Sequence, residues 1–301
     1  SLSQQGLVHA CASRNEAQAS EFAKMYGAQT YFNSYSALAA CQDIDVIYIA
    51  TPHSFHCAHT KLCLNHKKHV LCEKPMGLNE NQVQDMINTS RNNGVFLMEA
   101  MWTAFLPAIQ HVVSLIHEGV LGDIRHIKAD FGFQAEFDEK SRLFNPQLAG
   151  GSLLDIGIYP IFISLLICGY PVSVISKMFN SSTGVDNECT SILQFESGAT
   201  ASLYSTISCN TDTTCEIYGT KGKITIPKRF HEQDHFYIQY NNQETTSVKI
   251  GKTGVGYFHE IEHVNGCIRA RKTESNIMTH DLSLKLIRIM DSIRHQNGLN
   301  Y

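Results

Sequence analysis

No stretch of this 301-residue sequence reaches the roughly 18 consecutive apolar residues that a membrane span needs, and no positively charged segment followed by an apolar run opens it. Charge of one sign is equally scarce. Lysine and arginine together number 24 against 28 aspartates and glutamates, a net charge of -4 with a pI near 6.4. That leaves no wide basic surface, so neither nucleic acid nor an anionic membrane is expected as a partner. Regular cysteine spacing is also missing. The ten cysteines are scattered, and Cys11, Cys57, Cys63, Cys72 and Cys168 fall inside apolar helix-like or strand-like segments. Buried free thiols are expected rather than a disulfide framework. These absences together predict a soluble, cytoplasmic protein.

What is present is a regular alternation. LVHACASR (7–14) reads as a short strand, and NEAQASEFAKMYG after it as a helix, with Asn15 as N-cap and Gly27 as its stop. YSALAAC is a shorter helix, and DVIYIATP (45–52) an almost wholly apolar strand. Residues 55–66 are helical, KHVLCE is the next strand, NENQVQDMINTSRNNG is a helix ended by Gly94, and VFLMEA is a further strand. Strands apolar on both faces that alternate with helices predict a parallel sheet covered by helices over residues 1–100. The character changes in residues 101–301. There AIQHVVSLIHEGVLG is helical, DIRHIKADFGF alternates like a strand, and a helix runs over 153–168. SVISKMF, CTSILQF, ATASLYSTIS, TTCEIYG, KITIP, HFYIQY and TTSVKI follow as successive strands, and helices over 257–269 and 280–294 close the chain. Period-two polarity with polar breaks predicts a large, mostly antiparallel sheet with one face covered. The fold class expected is α/β, a Rossmann-like domain followed by an α+β domain.

In VLCEKPMG (70–77) the apolar strand stops at Glu73, Lys74 and Pro75. In a parallel α/β domain a ligand sits in the crevice outside the carboxyl ends of the strands. Lys74 therefore points into that crevice, Glu73 can orient or neutralise it, and Pro75 keeps it extended. The plainer alternative is a surface lysine before a turn proline.

Five segments carry a resemblance: TPHSFHCAHTKLCLNHKKHVLCEKPMG, FLMEAMWTAFLP, LGDIRHIKADFGF, AGGSLLDIGIYP and YGTKGKITIP. In that order they resemble the NAD(P)-dependent oxidoreductases of the glucose-fructose oxidoreductase, inositol dehydrogenase and rhizopine-catabolism family. The nearest branch is that of the dimeric dihydrodiol dehydrogenases and NADP-dependent D-xylose dehydrogenases. The resemblance implies hydride transfer between NADP, with NAD as the other possibility, and a secondary alcohol of a cyclic diol, polyol or sugar. It places the motif lysine on Lys74 and the proton-exchanging tyrosine on Tyr159, with Asp155 supporting the site's electrostatics. It also places Trp102 and Arg142 at the substrate, and Thr51, Pro52, His53, His56 and Glu73 with Lys74 on the cofactor side. It implies a homodimer through the sheet of the second domain. Ala104 departs from the branch, which usually carries arginine there.

The chemistry is coherent on these residues. Taking hydride from a secondary alcohol needs a base for the hydroxyl proton, and a phenol of ordinary pKa near 10 needs a cation such as Lys74 to lower it. Asp155 and Tyr159 stand four residues apart, so a helix there puts both on one face; the rival reading makes them helix-start residues that satisfy backbone donors. At the end of the first strand, Ser13 and Arg14 with no carboxylate before Glu16 favour the 2'-phosphate of NADP. The alternative there is a solvent-facing arginine. His53, His56 and His59 recur at three-residue intervals, which is not the four-residue spacing of a helical zinc motif, so no metal site is expected. One element is missing from the pattern. The glycine-rich turn that approaches the pyrophosphate belongs about twenty residues before the first strand, yet only six residues precede Leu7. The expectation is an N-terminally truncated piece of a longer enzyme, and the alternative is a non-catalytic or interaction protein that no longer binds dinucleotide.

Overall fold

The structure is a computed structural model that describes residue 3 and residues 6–301. Its first part alternates β1 (Ala10–Ala12), α1 (Glu16–Tyr26), β2 (Thr30–Phe32), α2 (Tyr35–Ala40), β3 (Val46–Ile49), α3 (His56–Asn65), β4 (His69–Glu73), α4 (Glu80–Asn93) and β5 (Leu97–Ala100). Local chemistry sets the helix ends. The Asn15 side chain accepts from Gln18 N to start α1, and Gly27 ends it at φ 69°, a left-handed value that costs glycine nothing. All strand pairs here are parallel, β1 with β2 and β3–β4–β5 in a row. The two groups are separate sheets, and among the described residues no strand joins β1 to β3. β4 buries Val70, Leu71 and Cys72 in succession, as a strand covered on both faces must.

The second part opens with α5 (Pro107–His117), whose proline sits in the first turn, where a missing N–H costs nothing. β6 (Ile124–Gly132) and α6 (Ile158–Cys168) follow, then β7 (Ser173–Asn180), β8 (Asp186–Gln194), β9 (Thr200–Thr206), β10 (Cys215–Gly219), β11 (Gly222–Ile226), β12 (His235–Tyr240) and β13 (Thr246–Lys249). They form one eight-stranded sheet in the order β13-β12-β11-β10-β6-β9-β8-β7. Every neighbouring pair is antiparallel except β6 with β9, so the sheet is mixed. α6 lies on the buried face with Ile158 through Leu165 enclosed. On the other face Ile175 and Phe179 of β7 and Ile192 of β8 are exposed.

One sequence reading needs correction. The span 146–168 is, by length and composition, apolar enough to cross a membrane, contrary to the reading that no such run exists; 83% of its most apolar window is buried inside the fold, as in a core helix. The two parts also pack on each other through the helices that close the chain. α7 (Tyr257–Arg269) and α8 (His280–Gln296) close the chain, and α8 returns to the first part. There Asp291 accepts from Glu80 N at 2.8 Å, and His280 Nε2 contacts Leu97 O at 2.9 Å.

Candidate active site

The carboxyl end of β4 points at the start of α6. Lys74 Nζ donates to the main-chain oxygen of Asp155 at 2.5 Å and lies 3.4 Å from its Oδ1. Asp155 belongs to a π-helical turn, Leu153–Gly157, that runs directly into α6. Such a turn widens the helix by one residue and often marks a functional site. Its start is pinned by Asp186, which accepts from Ser152 Oγ and from Leu153 N, both at 2.7 Å. Gly151 permits this approach: its φ is 107°, and a Cβ there would lie 2.1 Å from Asp186 Oδ1.

Asp155 is the shared anion of the site. Arg142 binds both of its oxygens at 3.1 Å, and His53 Nε2 lies 4.0 Å away. Burial pushes the Asp155 carboxyl up, but Lys74 and Arg142 outweigh it and hold its pKa down at about 2. Burial disfavours the Lys74 ammonium, yet the negative charges around it, that of Tyr159 in its ionised form and those of Asp155 and Glu73, hold its pKa above the ordinary range. Both groups stay charged around neutrality. Glu73 acts on the ammonium by charge and not by a hydrogen bond: its carboxylate accepts from the Tyr48 hydroxyl and from Lys74 N.

Tyr159 follows Asp155 by four residues and converges on the same lysine, whose Nζ lies 5.0 Å from the phenol ring centroid. Trp102 Nε1 donates to Tyr159 Oη at 3.0 Å. The expectation that Lys74 lowers this phenol's pKa meets a stronger cause. Burial raises it, and Lys74 with the indole N–H only reduces the rise, so Tyr159 stays protonated at neutral pH. Its hydroxyl hydrogen is therefore free to be donated while its oxygen accepts from Trp102.

Together these groups line a cavity of about 410 Å³. Lys74, Asp155 and Tyr159 form one wall, and the rings of Trp102, Phe131, His231 and Tyr257 supply apolar faces. Arg229 and Glu232, paired to each other, border it with Val255. Tyr257 stacks on Trp102 at 4.6 Å, and Gly256 makes room, since a Cβ there would lie 2.7 Å from the indole. Sequence reading missed Phe131, Arg229, His231, Glu232 and Tyr257. The alternation of DIRHIKADFGF was the only local signal available, and it does not say which residue ends the strand at a cavity.

The residues expected on the cofactor side lie at or just beyond the carboxyl ends of parallel strands. Ser13 and Arg14 follow β1, Thr51 to His53 follow β3, and Glu73 and Lys74 end β4. Arg14 is exposed over the Phe55 ring at 5.7 Å and, among the described residues, pairs with no carboxylate. An uncompensated guanidinium beside a serine fits the 2'-phosphate of NADP; the described residues before β1 include no glycine-rich turn for the diphosphate. The three histidines are engaged locally. His53 Nδ1 contacts Ala149 O at 3.2 Å, and His59 Nδ1 contacts Thr51 Oγ1 at 3.0 Å. His56 is fully buried, its nitrogens on Pro75 O at 2.8 Å and Thr51 O at 2.7 Å, so it braces two cofactor-side loops rather than offering a free nitrogen.

Comparison with known proteins gives this geometry a lineage. Residues 2–101 match the oxidoreductase family with NAD-binding Rossmann fold, and residues 109–225 match the GFO/IDH/MocA C-terminal domain. The chain belongs to the Gfo/Idh/MocA family of oxidoreductases. Among curated Gfo/Idh/MocA relatives, trans-1,2-dihydrobenzene-1,2-diol dehydrogenase of Xenopus tropicalis is 36% identical over 301 residues, covering 98% of this chain and 91% of that protein. The scyllo-inositol 2-dehydrogenase (NADP(+)) IolU of Bacillus subtilis is 33% identical over 295 residues, covering 96% and 89%. The crystal structure of aldose-aldose oxidoreductase from Caulobacter crescentus complexed with glycerol superposes with a TM-score of 0.87 at 26% identity, covering 96% and 89%. As a Gfo/Idh/MocA oxidoreductase, the chain has the Rossmann-like domain and the large second sheet that its sequence predicts.

Proposed function

We propose that this oxidoreductase moves a hydride between NADP and a secondary alcohol carbon of a cyclic diol or sugar, with Tyr159 exchanging the hydroxyl proton. The observation that carries the reading is the convergence of Lys74, Asp155 and Tyr159 on one wall of a cavity whose other walls are aromatic faces. NADP, when bound, supplies the hydride acceptor and donor; the names of the diol and inositol dehydrogenases among its relatives support that cofactor and substrate class. Lys74 holds the reacting oxygen by its positive charge and is itself held by Asp155. Tyr159, a protonated phenol in the free protein, donates its proton to a carbonyl oxygen on reduction; oxidation runs from the phenolate, whose own proton has gone to solvent and whose charge Lys74 stabilises, and this phenolate takes the alcohol proton as the carbon gives up hydride. The stacked rings exclude water and hold a saturated ring flat.

The exposed face of the eight-stranded sheet, with Ile175 of β7 opposite Ile192 of β8, supports a homodimer packed face to face. All ten cysteines are free thiols, which supports a reducing, cytoplasmic setting.

The test is single-turnover NADP reduction against a panel of cyclic vicinal diols and aldoses. Replacing Tyr159 with phenylalanine is expected to slow hydride transfer by about 10²- to 10⁴-fold, the usual contribution of a general acid or base, with NADP affinity nearly intact. Lys74→Met is expected to lower turnover and also to disturb cofactor or substrate placement. A phenylalanine variant as fast as its parent removes Tyr159 from the proton transfer.

A further inference from the structure

Among the groups that line the cavity, His231 carries a buried ring nitrogen that the described residues leave without a partner. Its residue is 4% exposed, and its ring stacks on Phe131 at 4.4 Å and 24°. Tyr159 lies 5.0 Å away, and Trp102 meets the imidazole edge-on at 5.9 Å. The backbone is fixed as well. Thr103 Oγ1 donates to His231 O at 2.7 Å, and Arg229, at φ 61°, turns the chain into the short helix Phe230–Glu232. Yet Nδ1 is buried with no partner, and among the described residues nothing hydrogen-bonds Nε2. A folded chain seldom leaves a buried polar ring unanswered unless a ligand or water answers it.

Burial pushes the imidazole's pKa down to about 3; Glu232 opposes this, and Arg229, Lys74 and Lys252 add to it. The ring is therefore neutral at working pH, with one N–H and one lone pair. A hydroxyl both donates and accepts, so it can meet such a ring in either tautomer. A carboxylate or phosphate can only accept, and it finds no positive charge on this ring; of the nearby cations, Arg229 is paired with Glu232, Lys74 with Asp155, and Lys252 donates to the Glu232 main-chain oxygen.

We propose that His231 is a specificity-determining residue that hydrogen-bonds a second hydroxyl of the substrate, beside the one that reacts at Tyr159. The assignment rests on the alcohol-oxidation reading above and narrows it to neutral rings with vicinal hydroxyls. The Tyr159 and His231 rings are close enough for oxygens on neighbouring carbons to meet one each, while Phe131 and Trp102 cover the ring itself.

The experiment compares trans-cyclohexane-1,2-diol with cyclohexanol, in NADP-dependent oxidation and in direct binding by calorimetry. His231→Phe keeps the stacking ring and removes both nitrogens. It is expected to lower the diol-to-alcohol ratio of kcat/KM, and of binding, by about 10-fold, the weight of one net hydrogen bond. His231→Gln, which restores an amide donor and acceptor, is expected to recover part of that ratio. In the wild type, the His231 ring ¹⁵N resonances should move on adding the diol and stay in place on adding the alcohol, a readout independent of any variant's folding. A ratio indifferent to His231→Phe, or ring nitrogens indifferent to the diol, overturns the assignment even if both alcohols are oxidised. Discrimination that depends on His231 in binding, with no NADP reduction, keeps the assignment and retires the oxidation reading.

Discussion

Lys74 and Glu73 show how far a single residue can be read from sequence. The placement of Lys74 at the mouth of β4 was legible, because an apolar strand that stops at a lysine must deliver it to the carboxyl end of the sheet. Its partner was not. Adjacent residues of an extended chain point to opposite sides, so Glu73 turns to Tyr48, and the ammonium is met by Asp155, 81 positions later in the chain. The net pKa of Tyr159 was illegible for a similar reason: sequence supplied the lysine that lowers it but not the burial that outweighs the lysine. Arg14 was legible as the residue at the end of β1. Its replacement by alanine is expected to weaken NADP binding much more than NAD binding, through loss of a charge-assisted contact to the extra phosphate. Titrating both cofactors by fluorescence or calorimetry checks this. Equal losses would sink the assignment, and binding of neither cofactor by the unaltered protein would favour a non-catalytic role.

Helices and long strands were legible where caps and periodicity agreed, as at Asn15, Gly27 and Gly94. β2 was missed because three residues between turns carry no period, and the parallel pairing of β6 with β9 leaves no local trace. His231 escaped notice because its short helix lies between two strands and has no pattern of its own. At the end of β5, Glu99 is buried; its Oε1 accepts from Met76 N at 2.9 Å and its Oε2 has no partner. Burial pushes its pKa from the ordinary 4.5 up to about 7. The folded state therefore holds a proton that the unfolded state has already released. Stability is greatest below the unfolded value and falls as pH rises from there through about 7, by a total on the order of 3 kcal/mol. Glu99→Gln removes the titration. Thermal melts should show the variant flattening the fall in Tm between about pH 5 and about pH 8 that the parent displays; an unchanged pH profile would show that Glu99 is already ionised in the fold.

The whole molecule depends on α8, which ties the parallel strands to the large sheet, while the far face of that sheet stays open. Alternating strands predicted a face to be covered, and Ile175, Phe179 and Ile192 on adjacent strands are its apolar part. Placing aspartate at both Ile175 and Phe179 is expected to convert a dimer into a monomer in sedimentation velocity, since two buried charges without partners cost far more than an interface of ordinary affinity can absorb. A variant that keeps the parent's mass in solution would remove this face from the proposed dimer contact.

The separation of β1–β2 from β3–β4–β5 has a further consequence, in how the protein breathes. Each of β1 and β2 is three residues long, and among the described residues each pairs with no strand but the other. β4, by contrast, is flanked on both sides and buries its centre completely. The amides of residues 10–12 and 30–32 should therefore open in a local unfolding step that leaves the other parallel strands closed. In hydrogen–deuterium exchange they should label at least roughly 100-fold faster than those of β4. If Ser13 and Arg14 hold NADP at the end of β1, as proposed, adding NADP should close that gap in rate, because the ligand would make the loosest pair of strands part of its own binding site.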